Sequence, residues 1–333
     1  MPKIKFFTPL GDLFSMYKTI PTLTDFILEE ERKAQDATGS FTLLMNQIEN
    51  VTKIIASHVK ASGLVDIMGK TGDTNSFGEE VQKLDEFSNQ LLTDTLIGGG
   101  QVHVVISEEM EQEVYAPEGK QGNYMVYFDP LDGSSNIDTN CPIGTIFSIY
   151  KKDGGLLQKG NQQIAAGYVL YGSSVMFVYS AGNGVNGFTL DPAIGSFLLS
   201  HPLMRIPENG EIYSINEAYE NLYDDGTKAY LANLKQEGKS RARYVGSLVA
   251  DAHRTLIKGG IYLYPADSKQ TEGKLRLMLE VNPFAYLIEQ AGGKAVAKDL
   301  QNPLDIMPSH IHERSPIVLG SPTNVSQYIS FQQ

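Results

Sequence analysis

The sequence of 333 residues predicts an α/β (α+β) fold in which helices and sheets form alternating layers. Three observations predict it. Amphipathic helical segments occupy about the first hundred residues, closely spaced β-rich runs follow, and the second half alternates strands with helices. Hydrophobic residues make up 41% and charged residues 20%, which is typical of a globular protein with a sizeable core.

The first helical segments carry apolar residues at spacings of three and four. Residues 40–59 form an amphipathic helix on this pattern, with Ser40 placed to cap its start. The same spacing predicts helices over residues 24–35 and 81–97. Residues 63–78, between two of these helices, are rich in Gly, Thr, Asn and Ser and predict a long loop, of a kind that is often functional.

The middle of the chain consists of short β-rich runs separated by turn residues. These runs are residues 102–107, 124–128, 145–151, 165–171, 175–180 and 184–190. Their spacing predicts a largely antiparallel or mixed sheet.

The second half has a different pattern. The predicted strands are residues 243–245 and 261–264. The predicted helices are residues 247–258, 274–291 and 322–331. Turn segments that contain Pro and Gly near residues 200–212 predict a boundary between two domains, residues 1–205 and 206–333.

Charge and cysteine usage narrow the function classes. Lys and Arg number 27 and Asp and Glu 39, which gives a net charge of −12 and argues against general affinity for nucleic acid or anionic membranes. No apolar run approaches the ~20 residues that span a bilayer. The single cysteine, Cys141, cannot form an intrachain disulfide, so a cytoplasmic protein that acts on small molecules is expected.

Residues 128–138, Phe-Asp-Pro-Leu-Asp-Gly-Ser-Ser-Asn-Ile-Asp, are the most informative stretch. A strand delivers Asp129 to the end of the sheet, where Pro130 breaks the ladder. Asp132 follows three residues after Asp129, so both carboxylates can face one point, and the Leu131 carbonyl can turn toward it. Oxygen ligands in this arrangement suit magnesium or manganese.

The same stretch continues into an anion site. Gly133 and Ser134 expose backbone N–H groups where a short helix is expected to begin, which is a phosphate-binding arrangement. An isolated Asp-Pro-x-Asp would more often be an ordinary turn. The longer run favours a cation site beside an anion site, and therefore metal-assisted phosphoryl chemistry.

Further segments share one family's order and approximate spacing across almost the whole chain. With the stretch above, they are residues 83–85, 107–109, 213–217, 243–247, 262–266, 273–277 and 280–283. The chain thereby resembles the class I fructose-1,6-bisphosphatases, which belong to the lithium-sensitive, metal-dependent phosphatases that include inositol monophosphatase. The resemblance implies a layered α-β-α-β-α sugar phosphatase fold, with a regulatory-type first domain and a sugar-phosphate-binding second domain.

The resemblance also implies an activity. Family members hydrolyse the 1-phosphate of fructose 1,6-bisphosphate in gluconeogenesis by direct attack of metal-activated water. Two or three Mg²⁺ ions per subunit, with Mn²⁺ as an alternative, and a homotetramer are implied as well.

Site residues are carried over position by position. The implied metal ligands are Glu108, Glu109, Asp129, the Leu131 carbonyl, Asp132 and Glu280. Glu109 and Asp85 would orient and deprotonate the attacking water. Judged by periodicity alone, Asp85, Glu108 and Glu109 would be surface acids.

The second half supplies most of the implied substrate contacts. They are Asp132, Gly133, Ser134, Asn216, Tyr219, Arg243, Tyr244, Tyr264 and Lys274. Arg243 matches a residue that reaches in from a neighbouring subunit. Without the resemblance, Tyr244 and Tyr264 would be half-buried strand aromatics and Lys274 a solvated helix charge.

A regulatory site is implied near the N-terminal helices. The residues that match parts of the family's AMP site are Ala34, Thr38, Gly39, Thr42, Tyr124, Lys151 and Met176. Asn123 and Lys151 replace a usual lysine and arginine, which weakens phosphate recognition. Residues 63–82 match the family's mobile catalytic loop.

Two alternatives remain open. A bifunctional enzyme that also accepts sedoheptulose 1,7-bisphosphate needs only a modestly larger pocket. A non-catalytic sugar-phosphate sensor would keep the pocket but would not need the water-activating pair, Asp85 and Glu109.

Overall fold

The computed structural model describes residues 20–33, 38–61, 70–74 and 80–333. The helices are α1 (Leu23–Glu31), α2 (Ser40–Lys60), α3 (Lys83–Gly98), α4 (Asp225–Glu237), α5 (Leu248–Lys258), α6 (Asn282–Gln290) and α7 (Pro322–Ser330). The strands up to the middle of the chain are β1 (Lys70–Thr74), β2 (Glu80–Gln82), β3 (Val102–Ser107), β4 (Val114–Tyr115), β5 (Tyr124–Asp132), β6 (Ile143–Lys151), β7 (Ala165–Tyr171), β8 (Val175–Ser180), β9 (Val185–Asp191) and β10 (Ser196–Met204). The later strands are β11 (Ile212–Ser214), β12 (Arg241–Ala242), β13 (Ile261–Tyr264), β14 (Leu275–Arg276), β15 (Lys294–Val296), β16 (Arg314–Ser315) and β17 (Ile317–Gly320).

An eight-stranded sheet forms the first half of the protein, in the order β10-β9-β8-β7-β6-β5-β3-β4. Its neighbouring strands are antiparallel except for β3 and β5, which are parallel. The prediction of a largely antiparallel or mixed sheet is confirmed.

Helices α1, α2 and α3 cover one face of this sheet. Side chains alternate along β5, so Val126 and Phe128 join the core beneath these helices, while Met125 and Tyr127 join a cluster on the opposite face. The predicted amphipathic pattern is confirmed, because Ile48 and the other apolar residues of α2 point into that core.

The second half adds a smaller sheet and two further helical layers. Its strand order is β12-β11-β13-β17-β15. Helices α5 and α6 lie between the two sheets, where Val249 and Phe284 share one core with Tyr168 of β7 and Leu319 of β17. Helices α4 and α7 cover the outer face of the smaller sheet. The α-β-α-β-α layering is thus confirmed.

Several element boundaries differ from the predictions. Helix α2 includes Ser40 as its first residue, and the capping position is taken by Gly39, whose φ of 74° is a backbone conformation that glycine adopts at little cost. In the predicted loop of residues 63–78, the described part contains β1, which pairs antiparallel with β2. Strands such as β10 carry too little alternation to be found from sequence.

The second half holds two wrong element predictions. The strand expected at residues 243–245 ends at Ala242, one residue earlier than it was expected to start. The single helix expected at residues 274–291 is instead β14, a π-helical turn over Leu277–Val281 and then α6. Pro283 lies in the first turn of α6. A proline is tolerated at this position because the N–H groups of a first turn have no partner within the helix, so the missing N–H costs no hydrogen bond.

The predicted domain boundary falls between β10 and β11. Residues from both sides of it, such as Ile146 and Leu256, belong to one core cluster. The division into residues 1–205 and 206–333 stays a prediction.

Candidate active site

The acidic motif lies at the end of β5. The pairing of β5 with β6 shifts register between Asp129 and Asp132, as expected where a proline interrupts the ladder. The Thr145 hydroxyl donates to the freed Pro130 carbonyl at 2.8 Å. The Leu131 N–H donates to an Asp129 oxygen at 2.9 Å, which fixes that carboxylate over the turn.

Glu280 reaches the same point from the π-helical turn before α6. Carboxylate oxygens of Asp129, Asp132 and Glu280 lie within 4.8 Å of one another. These three residues are called the acidic cluster below, and none of them is more than 9% exposed. The backbone N–H of Arg276 donates to Glu280 at 2.6 Å, so the turn holds its own carboxylate in place.

Asp132 is held by the start of α5. Its oxygens accept hydrogen bonds from the Ser247 hydroxyl at 2.6 Å and from the N–H groups of Leu248 and Val249 at 3.2 and 2.8 Å. A carboxylate at a helix N-terminus is stabilised by these donors and by the helix dipole. Gly133 is required beside it, because a Cβ there would lie 2.6 Å from the Ser247 Cβ.

The electrostatics of the cluster favour a cation. Burial raises the pKa of Asp129 well above its usual range, and the nearby charges of Glu108, Asp132, Glu280 and Glu109 raise it further. Burial also raises the pKa of Asp132, although the donors from α5 partly offset this. The donor set of buried carboxylate oxygens fits a hard divalent ion such as Mg²⁺ or Mn²⁺, which would compensate this repulsion.

Glu108 and Glu109 follow directly after β3, as predicted. The Glu108 N–H donates to the Phe128 carbonyl at 3.0 Å, and the Glu109 N–H donates to the Ser107 hydroxyl at 3.2 Å. These bonds fix both residues beside the end of β5. The two glutamates therefore lie close enough to raise the pKa of Asp129.

Arg276 is a site residue that sequence reasoning missed. From its position in a predicted helix it would be a solvated charge, yet it is 3% exposed and forms an ion pair with Glu108. The available signal was its place in the segment of residues 273–277, which carries part of the family resemblance. The pairing brings a guanidinium to the rim of the acidic cluster.

Asp85 is also buried, contrary to the surface position that periodicity suggests. It lies in the first turn of α3 and is 3% exposed. Helix α3 packs against β3 and β5, the strands that carry the acidic motif and the two glutamates.

A cavity of about 330 Å³ lies near the acidic cluster, since Glu280 and Asp132 both act on the pKa of Tyr264 in its lining. The predicted substrate residues that line it are Asn216, Tyr219, Tyr244, Tyr264 and Lys274, together with Ser135 and Asn136 from the turn after Gly133. Burial raises the pKa of Tyr264 to about 12, with contributions from Glu280, Tyr219 and Asp132. The phenol therefore stays a hydrogen-bond donor at neutral pH and lies near both the cavity and the acidic cluster.

Four predicted substrate residues are placed differently. Among the residues that the structure describes, those that do not line this cavity are Asp132, Gly133, Ser134 and Arg243. Asp132 belongs to the acidic cluster instead. The Arg243 side chain is exposed and donates to the Ala242 carbonyl at 2.7 Å. Gly133 and Ser134 instead form the turn and the start of a short 3₁₀ helix, Ser134–Thr139, as the motif predicts.

The predicted AMP residues are only partly gathered. The Lys151 ammonium lies 4.4 Å from the centre of the Tyr124 ring, and the Thr42 hydroxyl donates to Glu31 at 2.6 Å. Thr38 and Gly39 lead into the same helix as Thr42.

The remaining two members of the predicted AMP set are Ala34 and Met176. Ala34 lies outside the described residues. Met176 packs in the core between the sheets, on the face opposite to Tyr124, because residues of a strand alternate between faces.

Comparisons with known proteins identify the family. A family model described as "Fructose-1-6-bisphosphatase, N-terminal domain" matches residues 21–202, and one described as "Fructose-1-6-bisphosphatase, C-terminal domain" matches residues 206–333. The chain belongs to the fructose-1,6-bisphosphatase family. The resemblance inferred from its motifs is confirmed.

Individual relatives agree. The chain is 54% identical over 314 residues to a class 1 fructose-1,6-bisphosphatase of Persephonella marina, covering 93% of this chain and 97% of that one. It is 46% identical over 322 residues to a cytosolic fructose-1,6-bisphosphatase of Brassica napus, covering 93% and 95%. The crystal structure of the Leishmania major enzyme in holo form superimposes with a TM-score of 0.90 at 40% identity, covering 94% of this chain and 99% of the other.

None of the described helices combines the length and the apolar character that crossing a membrane demands.

Proposed function

We propose that the chain hydrolyses the 1-phosphate of fructose 1,6-bisphosphate and releases fructose 6-phosphate and phosphate. The observation that carries this proposal is the proximity of two unlike regions, a buried acidic cluster and an open cavity rich in tyrosine. The turn after Asp132 leads from the cluster to the cavity lining, and Glu280 and Asp132 act on the pKa of Tyr264. Family membership supports the same reaction.

The acidic cluster is the proposed metal site. Asp129, Asp132 and Glu280 would hold a divalent cation, with the Leu131 carbonyl, Glu108 and Glu109 as further ligands. We propose two or three Mg²⁺ ions per subunit, with Mn²⁺ able to replace them. When bound, such ions activate water and neutralise charge on the phosphoryl oxygens.

The remaining residues place the reactants. Asp85 and Glu109 would orient the attacking water and accept its proton, which is the role of a general base. The backbone N–H groups of Gly133 and Ser134 would bind the transferring phosphoryl group, since a helix start favours an anion. Positioning and electrostatic stabilisation are the main sources of rate in phosphoryl transfer.

The cavity is the proposed site for the sugar and its distal phosphate. Tyr219, Tyr244 and Tyr264 offer phenolic donors, Asn216 offers an amide and Lys274 a positive charge. Arg243 would bind the same phosphate in a neighbouring subunit of a homotetramer. Its exposed position away from the cavity of its own chain supports this.

Location and control complete the proposal. We propose a cytoplasmic enzyme, as for the cytosolic plant relative. AMP control through Thr38, Gly39, Thr42, Tyr124 and Lys151 is proposed as weak, because a lysine ammonium offers a point charge where a guanidinium would offer a fork.

A phosphate-release assay tests the function. With Mg²⁺, the protein is expected to release phosphate from fructose 1,6-bisphosphate, and a chelator should abolish the release until Mg²⁺ is restored. Release that persists in the chelator would overturn the metal mechanism. Sedoheptulose 1,7-bisphosphate in a parallel assay distinguishes the bifunctional enzyme by the ratio of the two kcat/KM values, and binding without turnover would indicate the sensor.

A further inference from the structure

The wall of the cavity formed by residues 243–246 has little support from the smaller sheet. Strand β12 ends at Ala242, and the last ladder contact is the Arg243 N–H, which donates to the Tyr213 carbonyl at 2.9 Å. Tyr244 and Gly246, which line the cavity, come after the chain has left the sheet. We call residues 243–246 the wall segment.

Asp251 takes the place of a strand partner for the wall segment. It lies in the first turn of α5 and is fully buried. Its oxygens accept hydrogen bonds from the Val245 N–H at 3.0 and 3.1 Å and from the Gly246 N–H at 3.0 Å. An ionised acceptor makes these bonds stronger than bonds between neutral backbone groups.

Arg254 closes the arrangement from the next turn of the same helix. It forms an ion pair with Asp251. The same guanidinium donates to the Arg243 carbonyl at 2.7 Å and to the Ser214 hydroxyl at 3.2 Å. One side chain therefore ties the wall segment to the end of β11.

Helix α5 also holds the acidic cluster, since its first N–H groups and Ser247 bind Asp132. The two ends of the substrate are thus positioned from a single helix. We propose that Asp251 and Arg254 are positioning residues that set the distal-phosphate wall of the cavity at a fixed distance from the acidic cluster. This inference rests on the proposed function, because it assigns the cavity to the distal phosphate.

A purely structural role is the competing explanation. A buried carboxylate needs a partner in any protein, and Arg254 satisfies that need for Asp251 whatever the cavity binds. The two explanations differ for a substrate without the distal phosphate. A loss of folded protein lowers activity on every substrate in proportion, whereas a displaced wall affects only substrates that carry the distal phosphate.

The experiment compares fructose 1,6-bisphosphate with fructose 1-phosphate for the wild type, Arg254→Gln and Arg254→Lys. Arg254 is chosen because its side chain is 22% exposed, so its substitution disturbs the core less than that of Asp251. Lys258→Gln is the matched control, since it removes an exposed positive charge from the end of the same helix. Binding of fructose 6-phosphate is measured by calorimetry in parallel.

We expect Arg254→Gln to raise the KM for the bisphosphate about tenfold with kcat within about twofold, and to leave kcat/KM for fructose 1-phosphate unchanged. Arg254→Lys should recover part of the loss, because it keeps the ion pair, and Lys258→Gln should match the wild type. Equal losses on both substrates, or no loss on either, would overturn the proposal. If the wild type released no phosphate, the proposed function would fail, while an Arg254-dependent affinity for fructose 6-phosphate would still support the positioning role.

Discussion

The acidic cluster and the cavity next to it are built in opposite ways. In the cluster, carboxylates that are at most 9% exposed accept hydrogen bonds from backbone N–H groups, so their places are set by the main chain. In the cavity lining, Tyr219 and Tyr244 are 50% and 40% exposed. The difference suggests that the cluster determines turnover and the cavity determines affinity, since preorganised charge acts in the transition state and open donors act mainly on binding.

The largest effect is expected from Asp129→Asn. Turnover should fall about 10³-fold, or ~4 kcal/mol, because the cluster loses a charge that a cation needs. The melting temperature of the metal-free protein should rise, because one buried repulsive charge is removed while an acceptor for the Leu131 N–H remains.

Assays of turnover and thermal unfolding in chelator check both parts, with exposed Asp138→Asn as the control from the same motif. Turnover within tenfold of the wild type would contradict the role of the cluster.

A pH effect on stability is expected from α5, the helix that joins the two regions. The Tyr168 hydroxyl and His253 Nδ1 lie 2.7 Å apart, and burial, with a contribution from His201, lowers the pKa of His253 to about 4 from 6.5. The unfolded chain therefore binds a proton before the folded one, so stability is complete above pH 6.5 and about 3 kcal/mol is lost as pH falls to about 4.

Chemical denaturation at several pH values measures this loss. His253→Gln should remove that part of the pH dependence, whereas His310→Gln, at an exposed histidine, should not. An unchanged pH profile in His253→Gln would show that this helix does not couple pH to the two regions.

Glu109→Gln changes a carboxylate beside the acidic cluster rather than one of its three members. We expect turnover to fall about 10²-fold, because an amide cannot accept the proton of the attacking water. Affinity for fructose 6-phosphate should stay within about twofold, since Glu109 lies outside the cavity lining. Kinetics and calorimetry test the two statements, and Glu111→Gln, at an exposed residue nearby, is the control. Weaker sugar binding with normal turnover would reverse the assignment.

The smallest effect is expected from Tyr244→Phe in the cavity. Loss of one phenolic donor should raise the KM about fivefold, or ~1 kcal/mol, with little change in kcat. Tyr115→Phe is the control and should have no effect, because Tyr115 is similarly exposed, at 47%, and does not line the cavity. A change in kcat larger than that in KM would contradict the assignment of affinity to the cavity and of turnover to the acidic cluster.

Much of the fold followed from local patterns. The β-rich run of residues 124–128 predicts β5, and the spacing of apolar residues within α2 predicts its buried face. The prediction of a single helix over residues 274–291 was wrong for a physical reason. A strand, a π-helical turn and an α-helix that are all buried have similar runs of apolar residues, so the sequence pattern does not distinguish them.

Part of the candidate site could also be predicted from the sequence. The turn from Asp129 to Gly133 is local, so its residue types and spacing already indicate two carboxylates beside exposed N–H groups. The family resemblance supplied Glu280, which no local pattern connects to that turn.

The amino-acid sequence by itself therefore determined the layered fold class, the acidic turn and the family. Only the tertiary structure decided that Asp85 and Arg276 are buried rather than solvated, and that α5 supports both Asp132 and residues 243–246. The reason is that burial depends on how the layers pack, as does the hydrogen bond between Val249 and Asp132, which are more than a hundred positions apart. Short-range periodicity does not encode this packing, nor the turn that brings Gly246 back to Asp251.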